Sequence, residues 1–402
     1  PSVGQGVKSL ICFVMKVGIV TQPLLLNYGG VLQNYALQVV LRSLGHTPCT
    51  IDWERPMTHY QTHEAQRIMA NLKTRFLKHI GRGHGRSFIQ YKPSVKELSI
   101  ITQNIARFVD DYIVKTPTVN SVDGFKKQFE YGRFDALISG SDQVWRPRYN
   151  AFLPEMFLRF AKDNQVRRVA YAASFGTDRW EYSNIQTEEC ARLVRLYDRI
   201  SVREDSGISL CRDHFGVEAT LALDPTMLLS KENYVNLVRT AQERKSDGNL
   251  FHYILDPSER KMTFVQGVAD KFGLKPFTAM PKRRKSEWTK PLIRHQLTDC
   301  IYPSVTQWLR GFMDAELVVV DSFHGAVFSI IFNKPFWIIG NTDRGLARFI
   351  SLMRLFNLEK RLLSVDNLSP NFDPSPIEWP AINALLAEYQ QDSIRFLETA
   401  LK

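Results

Sequence analysis

The chain has 402 residues, of which 44% are hydrophobic and 23% charged, and its formal net charge is +11 at pH 7. At roughly 150 residues per domain the length corresponds to two or three domains, and this much apolar material excludes an intrinsically disordered chain. No apolar run reaches the roughly 18 residues that would predict a membrane span. The positive charge is compatible with nucleic acid, an anionic membrane or an anionic substrate, and does not distinguish among them.

The five cysteines are odd in number and far apart in the sequence. They form no CxxC pair or Cys/His cluster, and HExxH is also missing, so we expect no metal site. Free thiols in a reducing compartment are expected, at Cys12, Cys49, Cys190, Cys211 and Cys300.

Residues 1–14 end in a short apolar stretch, LICFV at 10–14. A signal peptide would have a longer apolar core and a small-residue cleavage site. The stretch runs directly into a first strand, so residues 1–14 are expected to be a non-essential extension. An interfacial or tag role is the alternative.

Strand and helix patterns alternate after residue 15. Strands are predicted at residues 16–21, 47–53, 134–139, 168–174, 199–202, 219–223, 251–255, 275–279, 316–320 and 335–339. A turn is predicted at 27–30, and residues 57–130 have a less regular helical pattern. The other predicted helices span residues 31–44, 187–196, 208–214, 262–272, 305–313, 326–332 and 377–401.

This alternation predicts an α/β fold with parallel sheets, and the length fits two doubly wound, Rossmann-like domains with a cleft between them. The polar stretch at 239–249 marks the boundary. We therefore expect an N-terminal domain at residues 15–238, a C-terminal domain at 249–375, and a C-terminal helical segment at 376–402 that packs back on the first domain.

Ligands of open α/β sheets bind at the carboxyl ends of the strands, which directs attention to DSFHG at 321–325. A helix that begins there offers free N–H groups to an anion, and Ser322 can cap it. His324 can move a proton near neutral pH. We therefore take Ser322, His324 and Gly325 as candidate site residues, with a buried histidine satisfied by the backbone as the alternative.

Arg203 follows the predicted strand 199–202. Its planar guanidinium can bind a carboxylate or a phosphate, or it can form a salt bridge with its neighbours Glu204 and Asp205. The sequence alone leaves both interpretations open.

GSDQVW at 140–145 follows another predicted strand. Ser141 and Asp142 can bind a polar substrate, and Trp145 can stack on a sugar ring. The alternative is a helix cap and a core tryptophan.

Three other loops give less specific indications of function. In NYGG, at 27–30, Asn27, Gly29 and Gly30 allow a polar ligand to approach the backbone, or they form a tight turn without the GxGxxG motif. The segment Asp224-Pro225 is interpreted as a structural turn. In TDRGLARF, at 342–349, Arg344 and Arg348 could both reach an anion, although a solvated helix face is the favoured interpretation; Arg344 is kept as a candidate site residue.

Six segments together resemble the polysaccharide pyruvyl transferase family, in the same order along the chain. They are NYGGVLQNYALQ (27–38), FDALISGSDQVW (134–145), RRVAYAASFG (167–176), ISVREDSG (200–207), LALDPTMLL (221–229) and VVVDSFHGAVFSIIFNKPF (318–336).

The resemblance implies a fold similar to the two-domain GT-B architecture, with the acceptor on the N-terminal domain and the donor on the C-terminal domain. Family members transfer pyruvate from phosphoenolpyruvate to sugar hydroxyls and form a cyclic ketal. An Arg of the RE motif and a His in the second half bind the donor, and these correspond to Arg203 and His324. A further Arg two residues before that His is replaced here by Ser322. Basic residues at 282–284 or Arg344 are candidates to supply the missing charge.

The resemblance further implies an acid, a base and an anion-binding group. We assign acid and phosphate contact to His324, donor binding to Arg203 and hydroxyl activation to Asp142. No cofactor is expected beyond phosphoenolpyruvate as substrate. The expected acceptor is a glycan, free or lipid-linked, met in the cytoplasm or at the anionic inner face of the membrane.

Two alternatives remain at this point. A glycosyltransferase of similar architecture would hold the diphosphate of a nucleotide-sugar at the helix start near His324. A nucleic-acid-binding protein would use the basic stretches at 73–92 and 282–290. Because no helix-turn-helix, zinc finger or RNA-binding motif accompanies these stretches, we expect no nucleic-acid partner.

Overall fold

A computed structural model describes residues 14–54, 93–284, 296–340, 345–368 and 375–402. Within these ranges the chain forms two parallel β-sheets, one in each half, with helices between successive strands. The predicted α/β class with two doubly wound domains is confirmed. Among the described residues, no helix combines the length and the apolar character needed to cross a membrane.

The first sheet has the strand order β2-β1-β3-β4-β5-β6, and its registered pairs are all parallel. Its central strands are buried on both faces, as expected when helices cover a parallel sheet on both sides. The strands are β1 (Lys16–Val20), β2 (Thr47–Thr50), β3 (Ala136–Ser139), β4 (Arg167–Ala173), β5 (Arg199–Val202) and β6 (Thr220–Leu221).

Serine side chains begin several helices of this half. The hydroxyls of Ser94 and Ser183 accept backbone N–H groups in capping boxes, and Ser121 caps a third helix. The helices are α1 (Tyr28–Ser43), α2 (Val95–Tyr112), α3 (Val122–Gly132), the short α4 (Leu153–Met156), α5 (Asn184–Val194) and α6 (Asp205–Leu210). The predicted turn at 27–30 is wrong, because α1 begins at Tyr28 and both glycines belong to its first turn.

The second sheet has the order β11-β10-β9-β7-β8, again with parallel pairs. The strands are β7 (Leu250–Tyr253), β8 (Pro276–Phe277), β9 (Leu317–Val320), β10 (Phe336–Gly340) and β11 (Leu362–Ser364). The helices of this half are α7 (Lys231–Thr240), α8 (Glu259–Phe272), α9 (Val305–Asp314), α10 (Phe323–Ile331), α11 (Ala347–Leu355) and α12 (Trp379–Ala400).

The two halves are packed together by apolar and aromatic side chains. The ring of Tyr28, in α1, stacks on Trp308 of α9 with 5.6 Å between centroids, and its hydroxyl donates to the carbonyl of Pro303 at 2.9 Å. Helix α12 returns to the first half, where Ser393 Oγ accepts the N–H of Leu223 at 3.1 Å. These contacts hold the two halves of the chain together.

The order of both sheets reverses beside the first strand of each, between β1 and β3 and between β7 and β9. Such a switch point opens a crevice at the carboxyl ends of the strands. Cys190, Cys211 and Cys300 are buried free thiols, as expected, and Cys49 is a partly buried one. Cys12 lies outside the described residues.

Candidate functional site

A buried ion-pair cluster lies where β5 ends. Arg203 is 6% exposed, and its Nη1 lies 2.6 Å from Asp224 Oδ2 while its Nη2 lies 3.2 Å from Asp142 Oδ1. The alternative of a salt bridge to the adjacent Glu204 and Asp205 is therefore wrong for this arginine. The interpretation of Asp224 as only a turn residue is also wrong, because its carboxylate is at the centre of the cluster.

His324 brings the second domain into this cluster. It is the second residue of α10, and its Nε2 lies 3.3 Å from Asp224 Oδ2. One carboxylate oxygen thus contacts the guanidinium of Arg203 and the imidazole of His324, whose chain positions are more than a hundred residues apart. The structure places these two predicted site residues together across the interdomain cleft.

Gly29 explains how the imidazole reaches this position. A Cβ atom on Gly29 would lie 2.1 Å from Cγ of His324, so only glycine leaves room for the ring against α1. The sequence predicted that a polar ligand could approach the backbone at Gly29. In the structure the group that lies against this backbone is the side chain of His324, from the other domain. Gly30 packs in the same way on Asn27, whose Nδ2 donates to Asp142 Oδ2 at 3.2 Å.

The charges of the cluster shift one another's pKa. Burial alone would raise the pKa of Asp224, but His324, Arg203 and Thr226 outweigh it and hold that pKa below its usual range. Burial likewise opposes ionisation of Asp142, yet Arg203 and His324 lower its pKa. Both carboxylates are therefore ionised at neutral pH.

Arg348, at the start of α11, is a buried cation close to this cluster. The favoured interpretation of a solvated helix face is wrong for it, because Arg348 is only 6% exposed. Its guanidinium carbon lies 5.6 Å from the ring centroid of Phe323, and that of Arg203 lies 4.3 Å from the same ring. Ser351 and Leu352, three and four residues later, are also buried, so Arg348 lies on the inward face of α11. The i, i+3 and i, i+4 spacing is the sequence pattern that could have indicated this face.

Glu204 was considered from the sequence only as a salt-bridge partner of Arg203. Its side chain is fully buried, and Oε1 accepts the N–H of Phe175 at 2.7 Å, the N–H of Gly176 at 2.9 Å and the hydroxyl of Ser174 at 3.0 Å. The two residues of the RE motif therefore have different contacts. Arg203 belongs to the charged cluster, and Glu204 holds the loop that follows β4.

Trp145 does not face the cleft. It is fully buried, and its ring stacks on Phe157 with 4.9 Å between centroids. The structure therefore contradicts the expected stacking of Trp145 on a sugar, because its ring faces are covered by core aromatics.

The remaining predicted residues have local structural contacts. Ser141 is buried beside the cluster, with its hydroxyl 3.4 Å from Asp224 Oδ2. Ser322 caps α10 by accepting the N–H of Gly325 at 3.0 Å, so this N–H is already satisfied by the cap. Arg344 lies outside the described residues.

The cluster borders a small cavity formed by both domains, with a volume of about 10 Å³. Its lining includes Arg203, Asp224 and Phe323. That volume corresponds to about one water molecule, so a larger substrate requires the two domains to move apart.

Two Rossmann-like domains that enclose charged residues between the carboxyl ends of their sheets define a GT-B-like architecture. The profile of the polysaccharide pyruvyl transferase family matches residues 27–344. The chain therefore belongs to the polysaccharide pyruvyl transferase family, as the six sequence segments predicted.

Comparison with solved structures finds similarity over nearly the whole chain at low identity. Staphylococcus aureus MnaA with UDP has a TM-score of 0.46 and 10% identity, covering 88% of this chain and 86% of its own. A glycosyltransferase from Rickettsia africae has a TM-score of 0.45 and 9% identity, and the match covers 97% of this chain and 94% of its own. UDP-GlcNAc 2-epimerase from Neisseria meningitidis has a TM-score of 0.43 and 11% identity, covering 94% and 100%. No curated protein matches the chain significantly.

Proposed function

We propose that the protein transfers the pyruvyl group of phosphoenolpyruvate to two hydroxyls of a sugar in a polysaccharide or its precursor, forming a cyclic ketal and releasing phosphate. Family membership supports pyruvyl transfer onto a polysaccharide. The observation that carries the proposal is the carboxylate of Asp224, which contacts Arg203 of one domain and His324 of the other.

The reaction needs one proton donor and one site for negative charge. Protonation of the methylene carbon makes C2 of the donor electrophilic, and a sugar hydroxyl then forms the first C–O bond and loses its proton. Cleavage of the bond between C2 and the phosphate oxygen releases phosphate. The second hydroxyl attacks C2 and closes the ring, while its proton passes to the phosphate or to solvent.

The cluster supplies groups for these steps. His324 donates the proton and contacts the phosphate, with its ring positioned by the contact between Nε2 and Asp224 Oδ2. Arg203 binds the donor through its charge, in an orientation fixed by Asp224 and Asp142. Because its pKa is lowered, Asp142 is an ionised hydrogen-bond acceptor that orients the attacking hydroxyl. No step in this scheme requires a metal or an organic cofactor.

The acceptor belongs to the same proposal. A glycan on a lipid carrier would place the enzyme at the anionic inner face of the membrane, where its net charge of +11 would favour peripheral binding. Sedimentation with liposomes, with and without anionic lipid, tests this location, and equal sedimentation would argue against it.

The decisive assay measures phosphate release from phosphoenolpyruvate in the presence of a panel of glycans, with the product identified by mass spectrometry. Turnover should fall roughly 10²–10³-fold in Arg203→Ala because the anion-binding group is lost. It should fall roughly 10²–10⁴-fold in His324→Gln because the proton donor is lost. Arg239→Ala, at an exposed surface pair with Glu232, is the control and should keep wild-type turnover.

Thermal unfolding separates this donor from the nucleotide-sugar alternative, since only a bound ligand raises the melting temperature. Phosphoenolpyruvate should raise it, and UDP-sugars should not. Stabilisation by a UDP-sugar alone would refute the proposed donor, whereas near-wild-type turnover in Arg203→Ala would refute the role of Arg203.

A further inference from the structure

Helix α11 of the second domain docks on the start of α6 in the first. The hydroxyl of Ser351 accepts the N–H of Asp205 at 3.0 Å, and Arg354 Nη1 lies 2.8 Å from Asp205 Oδ2. Arg348 is one turn before Ser351 on the same helix. Within the second domain, the Arg348 guanidinium lies over the ring of Phe323. Arg203 of the first domain covers the same ring, so the docking brings the two guanidinium groups to one ring.

Placing a second buried cation here opposes folding. Burial and then the charge of Arg203 lower the pKa of Arg348 to about 10, although Asp142 and Glu204 raise it. A guanidinium in such surroundings still carries its charge at neutral pH. Buried charged residues with shifted pKa values are typical of functional sites.

The charges around Arg203 explain what this cation is for. Both terminal nitrogens of Arg203 already contact carboxylates, those of Asp224 and Asp142, and the buried Glu204 adds a third negative charge. Phosphoenolpyruvate brings a phosphate and a carboxylate into this environment. The single guanidinium of Arg203 does not balance three carboxylates, so a dianionic donor needs a further positive charge. Arg348 is a second cation buried at the ring of Phe323.

We propose that Arg348 is a second donor-binding residue, which contacts the phosphate-bearing donor together with Arg203 between the two domains. The identity of the donor as phosphoenolpyruvate rests on the function proposed above. The expectation that a phosphate-type anion binds here rests on the geometry alone. Arg348 provides the second positive charge that the sequence analysis sought among residues 282–284 and Arg344. Because it belongs to α11, binding also depends on the docking of this helix.

The test compares Arg348→Met, which keeps the length of the side chain without its charge, and Arg348→Lys, which keeps charge without the planar fork. Binding of inorganic phosphate and of phosphoenolpyruvate is measured by titration calorimetry, together with the melting temperature. Arg348→Met should weaken both ligands by roughly tenfold or more, the loss expected for one charged hydrogen bond. The melting temperature shows whether each variant is folded when its binding is measured.

Arg239→Gln is the control, because this arginine is 66% exposed and pairs with Glu232 outside α11. It should bind both ligands like the wild type, which separates the charge of Arg348 from the general loss of one positive charge. Phosphate affinity of Arg348→Met within about twofold of the wild type would overturn the inference, because the loss of a charged contact exceeds that margin. If Arg348→Met does not fold, Arg348→Gln takes its place as the uncharged variant, and phosphate affinity within about twofold of the wild type in that variant would equally overturn the inference.

The outcomes separate this inference from the proposed function. Arg348-dependent phosphate binding without turnover of phosphoenolpyruvate would support the anion site and refute the pyruvyl donor. Turnover of phosphoenolpyruvate with unchanged KM in Arg348→Met would support the proposed function and refute the role of Arg348.

Discussion

At the residue scale, the carboxylate of Asp224 links the two domains. Asp224→Asn should lower turnover by about a hundredfold, because the amide no longer fixes Arg203 and His324 in one geometry. Steady-state kinetics with phosphoenolpyruvate check this expectation. Asp213→Asn, at an exposed pair with Arg212, is the control, and equal turnover in the two variants would contradict it.

The same substitution has a predictable pH dependence. The folded-state pKa of Asp224 lies below the ordinary value of about 3.9, so ionised Asp224 stabilises the fold above that pH. The contribution decreases as the pH falls below about 4 towards the folded-state pKa. Urea unfolding at pH 7 and pH 3 should therefore show a smaller difference between wild type and Asp224→Asn at the lower pH. A difference independent of pH would exclude this ionic contribution.

The sequence could predict Arg203 and His324 as neighbours because both follow strands, and the carboxyl ends of parallel strands meet at one edge of each sheet. It could not predict Asp224, since Asp before Pro is typical of an ordinary turn. Its partners come from β5 and from α10 of the other domain, and that proximity depends on interdomain packing. For Trp145 the sequence left sugar stacking and core burial both open, because the covering ring of Phe157 is supplied by tertiary contacts.

At the element scale, the loop that precedes α11 touches the loop after β4. Gly345 has φ +93°, and a Cβ there would lie 1.5 Å from the carbonyl oxygen of Gly176. The N–H of Gly176 is in turn held by Glu204. The contact thus connects the segment leading to Arg348 with the segment fixed by the RE motif.

Gly345→Ala should push these loops apart and raise the KM for phosphoenolpyruvate. Gly273→Ala is the matched control, since Gly273 has φ +63° but a Cβ there would meet nothing within 4 Å. Both variants should be destabilised by about 1–2 kcal/mol through the left-handed backbone, and only Gly345→Ala should show the additional loss and the altered KM. Kinetics and urea unfolding measure the two effects, and unchanged KM in Gly345→Ala would exclude a role for the contact in donor binding.

Whole elements were predictable where apolar residues are concentrated. The run LVVV of β9 is completely buried, and such runs are typical of parallel strands between two helix layers. The start of α1 was not predictable, since Asn-Tyr-Gly-Gly is also typical of a turn. Its first turn is stabilised by contacts of Tyr28 with Trp308 and Pro303 in the other domain, which local propensity does not contain.

At the scale of the whole molecule, one apolar core extends across both domains. It includes Ile19 of the first sheet, Val318 of the second and Leu397 of α12. Helix α12 contacts both halves, because Tyr389 packs on Phe356 after α11 while other residues of the helix contact the first half. A continuous core makes the unfolding of one domain costly for the other, so the architecture favours one cooperative transition.

Leu397→Ala tests this coupling. Leu397 is fully buried, and its truncation should cost about 2–5 kcal/mol, while exposed Glu398→Ala should stay within about 0.5 kcal/mol of the wild type. Tryptophan fluorescence and circular dichroism should report one coincident urea transition in the wild type, shifted as a whole in Leu397→Ala. Two separate transitions, with only one moved by the substitution, would mean that the domains unfold independently and that the core shared through α12 does not couple them.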